Sequence, residues 1–167
     1  MEPLVDTVIE DARWEVLGLD PMVSRAVMAT FAYLQLPESG LTLCVMGCDD
    51  ARIAALNGEF RAKPVSTNVL SWPSDDLSPE IDGAMPVQPL VGDADDPESL
   101  GDIALAYDTC LHEAAEAGKP VENHVTHLIV HGVLHLLGYD HVRDRDAARM
   151  EATEVAILAR LGLSDPY

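Results

Sequence analysis

Val121-Glu122-Asn123-His124-Val125-Thr126-His127-Leu128-Ile129-Val130-His131-Gly132-Val133-Leu134-His135-Leu136-Leu137, residues 121–137, reads as one helix that is apolar nearly all round. Such a helix belongs in the middle of a domain, with other elements packed around it. Beyond Glu122, Asn123 and Thr126 near its start, the exceptions to its apolar character are histidines. His131 and His135 are spaced i, i+4, so they sit one above the other on the same face. Gly138 follows three residues later, where a helix often ends in a left-handed residue that glycine adopts cheaply. The chain then turns and carries His141 back toward the first two. Three neutral imidazoles with one position left open for water form the donor set of a catalytic zinc. Nickel is the alternative ion, because three imidazoles suit both. A closed structural site would want a fourth ligand, usually Cys, and none lies nearby in the sequence.

The spacing H-x-x-x-H-x-x-G-x-x-H is also that of the metzincin peptidases, which carry a Glu directly after the first His as general base. Here that position is Gly132, which cannot take a proton. A metzincin-like metallopeptidase is therefore the alternative rather than the main reading. Three further residues are candidates for supporting the site. His127 lies one turn before His131 and serves either as a fourth polar group or as a partner that orients a ligand. Asp140 precedes the third His and acts either as a general base or as a cap for the turn. Glu154 falls on the apolar face of the last helix, where a buried carboxylate needs a partner such as a ligand His or a backbone group. His112 and His124 read as ordinary surface histidines.

Around this helix, alternation predicts strands at Val5–Glu10, Gly40–Gly47, Thr67–Trp72 and Gly101–Tyr107, with 67–72 read as central. Asp20-Pro21 is expected to open a helix that runs to Leu34, with Asp20 as cap and Pro21 at the first helical position. Asp49-Asp50 is expected to cap a helix through Phe60. Helices are also expected at Thr109–Ala117, at about Val121–Leu137 and at about Asp144–Leu161. No repeat or second domain is visible. The expectation is an α+β fold: a single domain, 1–167, with a small mixed β-sheet covered by helices and the metal site at the end of a central buried helix.

At 167 residues, 48% of them apolar, the chain is long enough to bury a core. No run of apolar residues is long enough to span a membrane, and the first residues lack the basic start of a signal peptide. Cys44, Cys48 and Cys110 read as buried thiols in a reducing, cytoplasmic setting. The net charge of −19, from 10 basic and 29 acidic residues, is awkward for nucleic-acid binding, which usually leaves a basic footprint. Part of that charge is local, because residues 74–101 hold eight acids and no Lys or Arg. Residues 74–99, with four prolines, are expected to form a mobile acidic surface loop. Any RNA must then be met by a small cationic patch and the metal. Arg61, at the end of the third helical segment, reads from position either as a solvated arginine favoured by the helix dipole or as a guanidinium that grips a phosphate.

The segment ending in His-Gly-Val-Leu-His-Leu-Leu-Gly-Tyr-Asp-His, residues 131–141, resembles the signature of the YbeY endoribonucleases, bacterial ribosomal RNA maturation factors. The resemblance extends to Leu56-Asn57, Phe60-Arg61, Thr67-Asn68-Val69-Leu70-Ser71-Trp72-Pro73, Gly101-Asp102-Ile103 and Met150 to Leu158. It implies that His131, His135 and His141 bind one zinc ion and that Arg61 is the essential basic residue. It further implies single-strand-specific cleavage of RNA in 16S rRNA 3′-end maturation and ribosome quality control, with the ribosome or small-subunit proteins as partners. Asn68 and Trp72 stand where the family pattern has Asp and Phe. A non-catalytic ribosome assembly factor with a structural metal is the other alternative.

Overall fold

Leu41, Leu43 and Val45 alternate with Thr42, Cys44 and Met46, so one strand presents an apolar row to each side and must be covered on both. The computed structural model of the chain describes residues 4–167 and shows how that is done. Among these residues run β1 (Leu4–Ile9), α1 (Arg13–Leu17), α2 (Leu19–Leu34), β2 (Leu41–Cys48), α3 (Asp50–Arg61), β3 (Val69–Pro73), β4 (Glu98–Ala106), α4 (Tyr107–Ala117), α5 (Val121–Leu136) and α6 (Asp144–Arg160). The four strands form one mixed sheet in the order β1-β2-β4-β3. β1, β2 and β4 are parallel, and β3 runs antiparallel to β4. The fold is a single α+β domain.

The main core lies between one face of the sheet and the helices α2 and α5. Leu43, Val45, Ile103 and Leu105 from the strands meet Val23 and Val27 of α2 and Ile129 and Val133 of α5, all of them buried. Each such side chain contributes about 1.5–3 kcal/mol relative to an exposed one. Gly132 allows α5 to lie close to the sheet, since a Cβ there would stand 3.0 Å from Ile103. The opposite face is covered by α3, whose Ile53 and Leu56 pack on Cys48, Leu70, Ala104 and Ala106.

Several local expectations need correction. α1 was not anticipated: its five residues are too short for a periodic signal, yet Trp14 is fully buried and its indole N–H donates to the Cys48 carbonyl at 2.8 Å. Gly18, at φ 88°, separates α1 from α2 and is the N-cap of the latter. Asp20 and Pro21 are therefore the second and third helical residues rather than cap and first, and Pro21 still lacks only an N–H that the first turn leaves unpaired. The strand at 69–73 lies at the sheet edge, not in its centre. The 49–50 cap is as expected, with the Asp49 carboxylate accepting the Arg52 N–H at 2.7 Å.

The acidic segment shows no helix, and its last residues already belong to β4, which starts at Glu98 rather than 101. The segment is also tied to the start of α6. The Asp82 carboxylate accepts the Asp146 N–H at 2.8 Å, and Asp146 in turn accepts the Gly83 N–H at 2.8 Å. Arg143 donates to the carbonyls of Pro79 and Glu80, and Arg149 to that of Gly83. Cys48 and Cys110 are buried, Cys44 is half-buried, and all three are free thiols. Burial pushes both buried thiols up to about 12, so they are poor nucleophiles. No helix among the described residues is long and apolar enough to cross a membrane.

Candidate metal centre

The last turn of α5 carries His131 and His135, and the turn beyond it carries His141. That turn is closed as a Schellman motif: the Tyr139 N–H donates to the Leu134 carbonyl at 3.0 Å and the Gly138 N–H to the His135 carbonyl at 3.1 Å. Gly138 has φ 97°, and a Cβ there would lie 2.4 Å from the Leu77 carbonyl oxygen, so both the backbone and the loop packed on it require glycine. The Asp140 carboxylate accepts the His141 N–H at 2.7 Å, which fixes the direction of the third imidazole.

One ring nitrogen from each of His131, His135 and His141 lies within 4.8 Å of the others. The Nε2 atoms of His131 and His135 are 3.1 Å apart. Two nitrogens bound to one tetrahedral zinc at about 2.0–2.1 Å stand about 3.3 Å apart, so the His131–His135 pair fits such an ion with little movement. Burial, and then the neighbouring His131 and His141, lower the His135 pKa to about 4. That imidazole is neutral at pH 7, as a ligand must be.

Glu154 of α6 is fully buried beneath this set. It accepts hydrogen bonds from His131 Nδ1, from His127 Nε2 at 3.0 Å and from the Tyr167 hydroxyl. Burial alone would raise its pKa, but the hydrogen bonds from His127, His131 and Tyr167 outweigh that and hold it at about 2. His127, His131 and Glu154 form a second group with metal-ligating atoms close together. The direct hydrogen bond between His131 and Glu154 leaves no room for an ion between them. The carboxylate instead orients His131, leaving Nε2 directed toward His135.

The cluster lies between two openings. A cavity of about 350 Å³ is lined by Pro73, Ser74, Asp76, His135, Gly138 and Asp140. An open hollow of about 580 Å³ on the other side is lined by Asn68, Glu113, His124, His127, His131 and Tyr167. In that hollow the Glu113 carboxylate accepts from Asn68 Nδ2 at 3.0 Å and pairs with His124 Nε2 at 2.9 Å. His124 is thus not the ordinary surface histidine expected, whereas His112 is largely exposed and pairs only with Glu116. Tyr167 was missed in the sequence. The available signal was a buried carboxylate with more acceptor capacity than its histidines fill, but nothing local points to residue 167.

Arg61 is exposed, and among the described residues no hydrogen bond joins it to the three histidines. A guanidinium NH donates to the Ser71 carbonyl at 2.8 Å. Ladder bonds join 68 to 106 and 74 to 100, so by antiparallel alternation residue 71 turns its carbonyl away from β4. Arg61 therefore lies along the open edge of β3, two residues from the Pro73–Ser74 wall of the first cavity. Gly132 faces the sheet at Ile103, so a glutamate at this position would point into the core rather than at the imidazoles.

The family model of Endoribonuclease YbeY matches residues 9–162. The chain belongs to the YbeY endoribonuclease family. It is 63% identical over 167 residues to the Endoribonuclease YbeY of Cereibacter sphaeroides, covering 100% of both chains. It is 56% identical to that of a Ruegeria species, covering 98% of this chain and 96% of the other. A Thermotoga maritima protein solved in solution shares the fold, with a TM-score of 0.57, 17% identity and 98% of each chain covered. YbeY membership assigns an endoribonuclease role, a hydrolase acting on RNA, and the His cluster is compatible with a bound metal ion.

Proposed function

We propose that this chain is a zinc-dependent, single-strand-specific endoribonuclease. It acts in the cytoplasm in 16S rRNA 3′-end maturation and ribosome quality control, with the ribosome or small-subunit proteins as partners. The observation that carries the reading is the convergence of three imidazole nitrogens within 4.8 Å, between two openings, in a chain of the YbeY family. His131, His135 and His141 hold the ion, zinc by donor type with nickel as the alternative. Such an ion supplies Lewis acidity at a phosphoryl oxygen and a water of lowered pKa.

The protein's own residues do the rest. Glu154 keeps His131 Nδ1–H engaged, so that Nε2 presents its lone pair to the site. Asp140 fixes the His141 backbone and lines the first cavity, where its second oxygen is free to accept a proton. Arg61 offers further N–H donors at the β3 edge to a phosphate entering from that side, where they offset developing negative charge. The acid-lined walls disfavour a rigid double helix with its dense phosphate charge and suit a strand that crosses at one point.

The test is cleavage of a single-stranded RNA by the zinc-loaded protein, with His135→Ala and Arg61→Ala purified identically and bound metal measured in each. Cuts that vanish in both variants, with metal retained only in Arg61→Ala, support the reading. Equal cutting by all three overturns it. Loss of metal that unfolds the protein while Arg61→Ala leaves assembly function intact points to an assembly factor with a structural ion.

A further inference from the structure

The chain has two Phe and two Trp. Trp14 and Phe31 are buried in the core, but Phe60 is 60% exposed at the last turn of α3. It stands edge-on to Trp72 of β3, with ring centroids 5.9 Å apart and planes at 70°. Trp72 is half-buried and packed on the α3-side core, so one ring of the pair is anchored and the other stands free. More than half of the Phe60 surface is left to solvent.

Its neighbours are cationic. Arg13, Arg52 and Arg143 are committed to carboxylates. Arg61 and Lys63 have no carboxylate partner among the described residues and stand one and three residues after Phe60 in sequence. In a chain of net charge −19, two cations without a carboxylate partner among the described residues thus lie within three residues of an exposed aromatic ring, which Glu59 precedes. Aromatic faces bordered by backbone-binding cations form the chemistry that holds single-stranded nucleic acid, because every base has a π-face and every linkage a phosphate.

The topology connects this patch to the metal centre. Along β3, Leu70 and Trp72 face the α3 side, whereas Val69 faces the main core on the α5 side. Arg61 spans the open edge between the two faces. β3 then runs into Pro73 and Ser74, which wall the cavity containing His135. Along β3 the Arg61 contact at Ser71, the aromatic partner Trp72 and the cavity wall Pro73–Ser74 are consecutive.

We propose that Phe60 and Trp72, flanked by Arg61 and Lys63, form a stacking site for an unpaired base of the RNA strand that is presented to the histidine cluster. This rests on the nuclease reading for the identity of the ligand. The site takes any base in single-stranded form and rejects a paired one, whose faces are already covered.

The test uses a labelled single-stranded 2′-O-methyl RNA oligonucleotide, which resists cleavage, and follows its binding by fluorescence anisotropy. Phe60→Ala, at an exposed position and checked for folding by circular dichroism, is expected to weaken binding by roughly fivefold to a hundredfold. Phe60→Tyr and Trp72→Phe are expected to bind within about twofold of the unaltered protein. Inorganic polyphosphate separates charge from stacking: Lys63→Ala weakens its binding, and Phe60→Ala does not. Unchanged oligonucleotide binding in Phe60→Ala, or equal weakening for polyphosphate, overturns the proposal. So does failure of the unaltered protein to bind the oligonucleotide. Stacking-dependent binding without cleavage of ordinary RNA would sink the nuclease reading and leave the stacking site standing. Cleavage with Phe60-independent binding would do the reverse.

Discussion

Replacing Glu154 with Gln keeps the side chain's shape and removes the charge that accepts from two imidazoles and a phenol. The expected result is zinc affinity lowered by about 10–100-fold, read by competition with a chelating dye, with the fold retained. Acid should act on the same residues. In the metal-free protein His135 is held at about 4 against an ordinary 6.5. Between those values the unfolded chain binds a proton that the folded chain refuses, so stability falls as pH drops through that window. Glu154, held at about 2 against 4.5, adds a second loss as pH falls from about 4.5 toward 2. Urea midpoints measured in chelator from pH 7.5 to 3 should decline throughout, and His135→Ala should flatten the part above pH 4. Gly132→Glu, which would supply the peptidase carboxylate, should instead lower stability by roughly 2 kcal/mol or more through overpacking at Ile103, without peptide hydrolysis. At this scale the clustering of the three histidines was legible because helical spacing and a glycine stop are local signals. Glu154 was legible because a carboxylate on an apolar helix face must find a partner. Tyr167 and the Asn68–Glu113–His124 chain were not, because their partners come from segments with no shared period.

Among the elements, α6 has an unusual start. Its own N-cap, Arg143, makes no capping hydrogen bond, and Asp82 of the acidic segment accepts the Asp146 N–H in its place. A carboxylate at a helix N-terminus is favoured by the exposed N–H groups and the dipole. Asp82→Ala should therefore cost about 1 kcal/mol, as cap removals do, and should expose residues 79–91 to limited proteolysis. Unchanged cleavage kinetics would show that the other tethers suffice. The same contact adds what charge density alone does not signal: the Asp82 carboxylate is consumed by a backbone partner more than sixty residues away. Apart from the five-residue α1, helix centres were legible from their apolar period. The starts of α2 and β4 were not, because a glycine junction and an irregular lead-in carry no period. The edge position of β3 was hidden as well, since a short strand reads alike at the edge and in the centre until its pairing is known.

For the molecule as a whole, the core between the sheet, α2 and α5 closes without help from the imidazoles. Chelation should therefore leave the far-ultraviolet circular dichroism spectrum intact and lower Tm by a few degrees only, whereas a structural zinc domain would lose its helices. The charge distribution gives a second expectation. With Arg61 and Lys63 as the cations that meet the RNA, the logarithm of RNA affinity should fall with the logarithm of salt at a slope near −1 to −2, at about −0.7 per neutralised phosphate. A slope several times steeper would show that further cations, such as Arg145 and Arg149 of α6, take part.

The three histidines are close in sequence as well as in space, with His131 and His135 one helical turn apart and His141 in the bend beyond it. A chain that has not yet paired its strands can still bring those three together, because closing so short a loop costs little entropy. The denatured ensemble thus competes for the same ion, and mass action is felt on both sides of the folding equilibrium. Saturating zinc should raise the midpoint by less than the native affinity alone would give.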